Sequence, residues 1–383
     1  MTSPAYLKSL FLLEPDVVFL NHGSYGAIPR PVFEVYQAWQ RRLERQPVRF
    51  FQRELPDELD HVRQVLGRYL CVDADDLIFV PNATYGVNIV ARSLPLAEGD
   101  DVITTDQEYG ACNTVWSFLS RRKGFRYLHQ PISLPATSRQ AIVDQLWQAV
   151  TPRTRVIYLS HITSPTALTL PVEEICARAR AEGILTVIDG AHAPGQLPLD
   201  LTAIGADFYT GNCHKWLCSP KGAGFLHTRH EHQHLVEPLV VGWGVSDERE
   251  FTLGSNYLDH HYWLGTNDFS GYLSIPAAID FQAEHDWQAV RRACHELLRE
   301  TLGRISALTC LEGLYGDDSF YQQMAVAQLP PVEDAAAFKE RLYQDYRIEI
   351  PWNQGGVRIS VQGYNSPADL DLLVHALERL LPA

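Results

Sequence analysis

"PVEEICARARAEGILTVIDGAHAPG" (171–195) decides the architecture. In its first half Val172, Ile175, Cys176 and Ala179 recur at helical spacing, with Pro171 suited to the first turn and Gly183 to the end. In its second half "ILTVID" (184–189) is a short β-rich apolar run ending in an acid and a glycine. A helix feeding such a strand implies a crossover unit. The pattern repeats along the chain: "LIFV" (77–80), "DVITT" (101–105), "RVIYLS" (155–160), "DFYTG" (207–211) and "AGFLH" (223–227) read as further strands. The expectation is a three-layer α/β fold with a mainly parallel central sheet.

Beyond about residue 265 the pattern changes. Long helix-like stretches (276–308) precede an α+β tail ending in "SPADLDLLVHALERLL" (366–381), where Leu370, Leu373, Leu377 and Leu380 form one apolar stripe. The reading is a large domain over 21–265, a smaller C-terminal domain over 266–383, and a segment 1–20 that packs with the smaller one.

The chain has 383 residues, 46% of them apolar, enough for a sizeable core. Its net charge of −14 argues against nucleic acid and anionic membrane as main partners, while leaving room for a small anionic ligand. Seven cysteines without a CxxC pair point to a reduced, cytoplasmic chain. The N-terminus lacks the long apolar region of a signal peptide, and no run reaches membrane-spanning length.

Asp189 stands at the carboxyl edge of the sheet, where ligands of such folds bind. It also suits the plainer job of capping the next turn. The next strand, within "ADFYTGNCHKW" (206–216), delivers Lys215 to the same edge. A lysine amine forms Schiff bases with carbonyls, including that of pyridoxal phosphate (PLP). PLP also needs a carboxylate at its pyridine nitrogen and donors for its phosphate. Asp189 supplies the first. "FVPNATYGVNIVARSL" (79–94) runs from a strand into a helix start at Ala83 and Thr84 and suits the second, although Asn and Thr are also ordinary caps.

The series "NAT", "EYGACN", "DGAHAPG", "HKWLCSPKGAGFL", "GTNDFSG" and "VRISVQGYN" resembles the class V aminotransferase family of fold-type I PLP enzymes. "FLNHGSYGAIPRPV" (19–32) and "QPVRFF" (46–51) resemble its isopenicillin N epimerase-like group. The resemblance implies that Lys215 carries PLP as an imine and Asp189 pairs with the ring nitrogen. It places His192 at the phenolic oxygen and Tyr109 over the ring. Ala83, Thr84, Asn212 and His214 would hold the phosphate. Thr266 would reach a phosphate in a second subunit, implying a homodimer with shared sites. Arg358 would bind the substrate α-carboxylate, and His22 and Arg49 are further substrate-side candidates.

These assignments imply chemistry at Cα of an L-amino acid or conjugate, epimerisation first, with C–S lysis or transamination as alternatives. Tyr109 or His22 would supply the second acid/base for epimerisation. Cysteine desulfuration is disfavoured, because "FKERLYQDYRIEIPWNQGGVRIS" (338–360) holds no cysteine to accept sulfur before Arg358. A reading from another class is a zinc hydrolase, since "HEHQH" (230–234) fits H-E-x-x-H through His230, Glu231 and His234. A solvated polar turn is the plainer account of that segment, and no metal is expected.

Overall fold

The computed structural model describes residues 3–248 and 252–381. Residues 1, 2, 249–251, 382 and 383 lie outside it, including the extreme ends of the expected outer segments. Among the described residues seven strands form the central sheet: β1 (Leu77–Val80), β2 (Asp101–Thr105), β3 (Arg126–Gln130), β4 (Thr154–Ser160), β5 (Leu185–Gly190), β6 (Phe208–Asn212) and β7 (Gly224–Thr228). Their order is β1-β7-β6-β5-β4-β2-β3. Neighbours from β6 through β3 pair in parallel, and β7 is antiparallel to both β6 and β1.

The alternation of side chains builds the three layers. Ile103, Ile157, Ile188 and Tyr209 face one apolar cluster; Val102, Val156, Val187 and Phe208 face the other. Both faces are covered, which is why these strands read as continuous apolar runs. β3 escaped the sequence reading. "RYLHQ" is an edge strand with no fully buried residue and mixed polarity, so its signal is weak.

Helix α1 (Ala83–Ser93) follows β1, α2 (Gly110–Lys123) follows β2, and α3 (Val172–Ala181) precedes β5. The helical region 276–308 divides into Ile275–Glu284 and Trp287–Thr309. Asp286 breaks it, standing at φ 47° and accepting the Ala289 N–H with its side chain. Beyond lies a three-stranded antiparallel sheet in which β8 (Met324–Gln328) and β9 (Gly356–Ser360) pair in full register. Val18–Phe19 pairs in parallel with Ile348–Glu349, tying the N-terminal segment to this C-terminal part. One apolar cluster runs from Leu7 through the sheet to Leu377.

No described helix is long and apolar enough to cross a membrane. The H-E-x-x-H segment forms a 3-10 helix, His230–Leu235, rather than an α-helix. With three residues per turn, positions i and i+4 no longer share a face. His230 is exposed and lies 3.6 Å from Asp76, while Glu231 pairs with Arg229. No group of three His, Cys, Asp or Glu suited to a metal occurs among the described residues. In this geometry His230, Glu231 and His234 do not form the zinc site expected of an α-helical H-E-x-x-H segment.

Candidate active site

The carboxyl ends of β1, β4, β5 and β6 open onto a cavity of about 530 Å3. Ala83, Thr84, Tyr109, Asp189, His192, Asn212, His214 and Lys215 all line it. Residues spread over more than 130 positions thus meet at one sheet edge, because parallel strands point their ends the same way.

Two loops close onto the lysine-bearing segment through glycines at positive φ. Gly26 (φ +72°) would place a Cβ against the His214 carbonyl, and Gly195 (φ +91°) would place one 2.2 Å from the Trp216 carbonyl. Any side chain at either position would push the loop off Lys215. Lys221 Nζ donates to the Gly26 carbonyl at 3.0 Å and holds the first loop from the cavity side.

Asp189 is 3% exposed. Its Oδ1 accepts the Ala191 N–H at 2.9 Å, so the turn-capping role is real. Its Oδ2 lies 3.5 Å from both Cys112 Sγ and Tyr158 Oη. Burial raises its pKa, opposed by the Ala191 N–H and the nearby Lys215 charge. Lys215 is lowered to about 8, first by burial and then by the Arg358 charge. Its amine lies 3.2 Å from His192 Nε2, and the Trp216 indole donates to His192 Nδ1 at 3.3 Å. Burial and the Lys215 charge push His192 well below the usual imidazole range.

At the start of α1, the Asn82 side chain accepts the Tyr85 N–H and Asn212 Oδ1 accepts the Ala83 N–H. The Thr84 N–H has no acceptor among the described residues and points from the positive end of an eleven-residue helix. His214 donates through Nδ1 to the Ala223 carbonyl at 3.1 Å, which leaves Nε2 for the cavity. Tyr109 stands at the N-terminal boundary of α2, with no side-chain cap bond, and is 45% exposed.

The remaining expected residues lie elsewhere. Arg358 sits one layer behind the wall: Nη1 donates to the Ser164 carbonyl at 2.7 Å and Nη2 to Ser24 Oγ at 3.1 Å. Both serines line the cavity, Arg358 does not. Arg358 is 4% exposed, its Nε has no partner, and no carboxylate pairs with it among the described residues. His22 is fully buried, with Nδ1 2.9 Å from Tyr364 Oη and Nε2 3.0 Å from the Lys215 carbonyl. It supports the Lys215 backbone and has no access to the cavity. Arg49 is on the surface in an ion pair with Glu54 at 2.8 Å. Thr266 is exposed and lines a separate groove with Trp243 and Trp263. Ser24, Ser160, Ser164 and Trp216 are site residues that the sequence reading passed over; serines in loops carry no distinguishing pattern.

The class V aminotransferase model matches residues 27–328. The isopenicillin N epimerase of Amycolatopsis lactamdurans is 36% identical, with 99% of each chain covered. A probable chloroplastic L-cysteine desulfhydrase of Arabidopsis thaliana is 28% identical over 96% of this chain and 84% of its own. Among solved structures, a C-DES variant with glycine covalently linked to its PLP cofactor matches with a TM-score of 0.84, at 21% identity and covering 99% of this chain and all of that one. The chain belongs to the class V aminotransferase family, in its isopenicillin N epimerase-like group. Its fold is that of the fold-type I PLP enzymes and its cofactor is pyridoxal 5'-phosphate. The residues fit that group. A lysine amine of lowered basicity, a buried carboxylate and an unpartnered helix-start N–H line one cavity, as an aldehyde, a ring nitrogen and a phosphate require.

Proposed function

We propose that this protein acts at Cα of an L-amino acid or amino-acid conjugate, in the manner of an isopenicillin N epimerase. The observation that carries the reading is the shared cavity of Lys215 and Asp189, with His192 Nε2 3.2 Å from the lysine amine. PLP supplies an electron sink that makes a Cα proton removable. Lys215 is the residue that holds it, and Asp189 is the acid for the ring nitrogen. Ala83, Thr84, Asn212 and His214 are the phosphate residues, and His192 is the donor for the phenolic oxygen.

Lys215 Nζ takes the Cα proton on one face. Its lowered basicity keeps a useful fraction of neutral amine near neutral pH. Epimerisation needs a second acid on the opposite face. Tyr109 Oη is the candidate, since His22 has both ring nitrogens engaged outside the cavity. Arg358 is the carboxylate residue. Its guanidinium, which has no carboxylate partner among the described residues, is held behind Ser24 and Ser164, so substrate entry requires these two serines to yield. A homodimer in which Thr266 of one copy completes the site of the other belongs to the same proposal.

C–S lysis is the second reading, favoured by the desulfhydrase relative. Persulfide transfer is not favoured, because no cysteine lines the cavity among the described residues and Cys112 is buried beside Asp189. Incubation of the holoenzyme with L-amino acids and cysteine conjugates in D2O tests the assignment. The expected outcome is Cα deuteration with inversion. Pyruvate release would establish lysis instead, and conversion of the cofactor to its pyridoxamine form would establish transamination.

A further inference from the structure

Glu108 is a buried carboxylate beside the site, 4% exposed, and has no part in the mechanism above. Its Oε1 accepts the Thr105 hydroxyl at 2.6 Å. Its Oε2 accepts both the Ser160 N–H at 2.7 Å and the Ser160 hydroxyl at 2.6 Å. Thr105 Oγ1 is itself the acceptor of the Gln107 N–H, so its own hydrogen is directed to Glu108. No cation pairs with the carboxylate among the described residues.

The location gives this arrangement its meaning. Thr105 ends β2 and Ser160 ends β4. Ser160 lies directly opposite Asp189 in the β4–β5 register. Tyr109 follows Glu108 and opens α2 without any side-chain cap of its own. Ser160, Tyr109 and Asp189 share the cavity wall.

We propose that Glu108 is a positioning residue that ties the turn carrying Tyr109 to the strand end beside Asp189, and so fixes the slot into which the cofactor ring fits. The inference rests on the PLP reading of Tyr109 and Asp189 given above. Burial raises the Glu108 pKa to about 7 against the pull of its three donors, so the carboxylate is kept there at a cost. An apolar side chain would pack the same turn without that cost, but it would leave the Ser160 N–H unpaired and the turn free to slide.

The test uses holoenzyme and apoenzyme of wild type, Glu108→Gln, Glu108→Ala and Ser160→Ala. PLP affinity is titrated on the apoenzyme, visible circular dichroism reports the ring's orientation, and denaturant midpoints of the apoenzyme report stability. Glu108→Gln preserves shape but offers an amide where three donors converge. PLP binding is expected to weaken roughly 10-fold with a reduced dichroic band, a loss larger than any fall in the apoenzyme midpoint accounts for. Ser160→Ala should change the same two readouts less, because the Ser160 N–H remains. Should Glu108→Ala fail to fold, the other two variants decide. Wild-type affinity and dichroism in Glu108→Gln would overturn the inference, as would losses that merely track a lowered midpoint. A wild-type protein that takes up no PLP at Lys215 would instead overturn the parent reading, and this one with it.

Discussion

His192 Nε2 lies 3.2 Å from Lys215 Nζ, while the other ring nitrogen accepts from the Trp216 indole. An indole N–H only donates, so His192 Nδ1 must be the bare nitrogen. The hydrogen of a neutral imidazole therefore sits on Nε2 and points toward the lysine nitrogen, an arrangement that suits the neutral form of the amine. Burial lowers the pKa of both residues, so Lys215 reaches its neutral form from about pH 8 upward rather than near 10.5.

The first prediction concerns this pair's support. Trp216→Phe keeps an aromatic ring in the pocket but removes the indole N–H and so releases the tautomer. Activity is expected to fall about 10-fold and the visible band of the bound cofactor to change its pH dependence. An unaltered spectral titration would remove Trp216 from that role.

Lys215 carries a stability cost with a definite sign. Its folded pKa of about 8 lies below the ordinary 10.5, so the charged amine is disfavoured in the folded apoenzyme. The full cost applies below pH 8 and fades as pH rises toward 10.5. Lys215→Met should abolish the yellow colour while stabilising the apoenzyme by about 2–3 kcal/mol at pH 7. That gain should shrink to about 1 kcal/mol at pH 10. Urea midpoints of both apoproteins at the two pH values check it; a constant gap would contradict the assigned shift.

Asp189→Asn should still take up PLP, because the phosphate residues and Lys215 remain. Turnover should drop by roughly 100-fold or more, since the ring nitrogen loses its proton-holding partner. Near-normal turnover would refute Asp189 as that partner.

Arg358→Ala should weaken the binding of α-carboxylates by roughly 10- to 100-fold, read as spectral titration of the holoenzyme with amino acids, and leave PLP content intact. Arg358→Lys should restore little, because an ammonium cannot replace the two-pronged contact with Ser164 and Ser24. Equal binding in all three proteins would exclude Arg358 from substrate recognition.

The central strands were legible because runs such as "RVIYLS" and "ILTVID" are buried on both faces and look uniformly apolar. The helix 172–181 was legible because only one of its faces is buried. Asp189 and Lys215 announced themselves as an acid and an amine at the ends of successive strands. His22 and Arg49 show the limit. The motifs around them resemble the family, yet the His22 ring bonds to Tyr364 and the Lys215 carbonyl, and Arg49 stands on the surface beside Glu54. "HEHQH" fitted a metal pattern only on the assumption of an α-helix, and the chain makes a 3-10 turn there.

The sequence by itself determined the layers, the strand ends and the identity of the amine and the acid, because side-chain period and polarity are local properties. Only the tertiary structure decided that Arg358 stands behind Ser24 and Ser164, that Trp216 fixes His192, and that Glu108 bridges two strand ends. Those relations depend on hydrogen bonds between residues far apart in the chain. Their direction is set by how the loops close over the sheet edge, which no local pattern encodes.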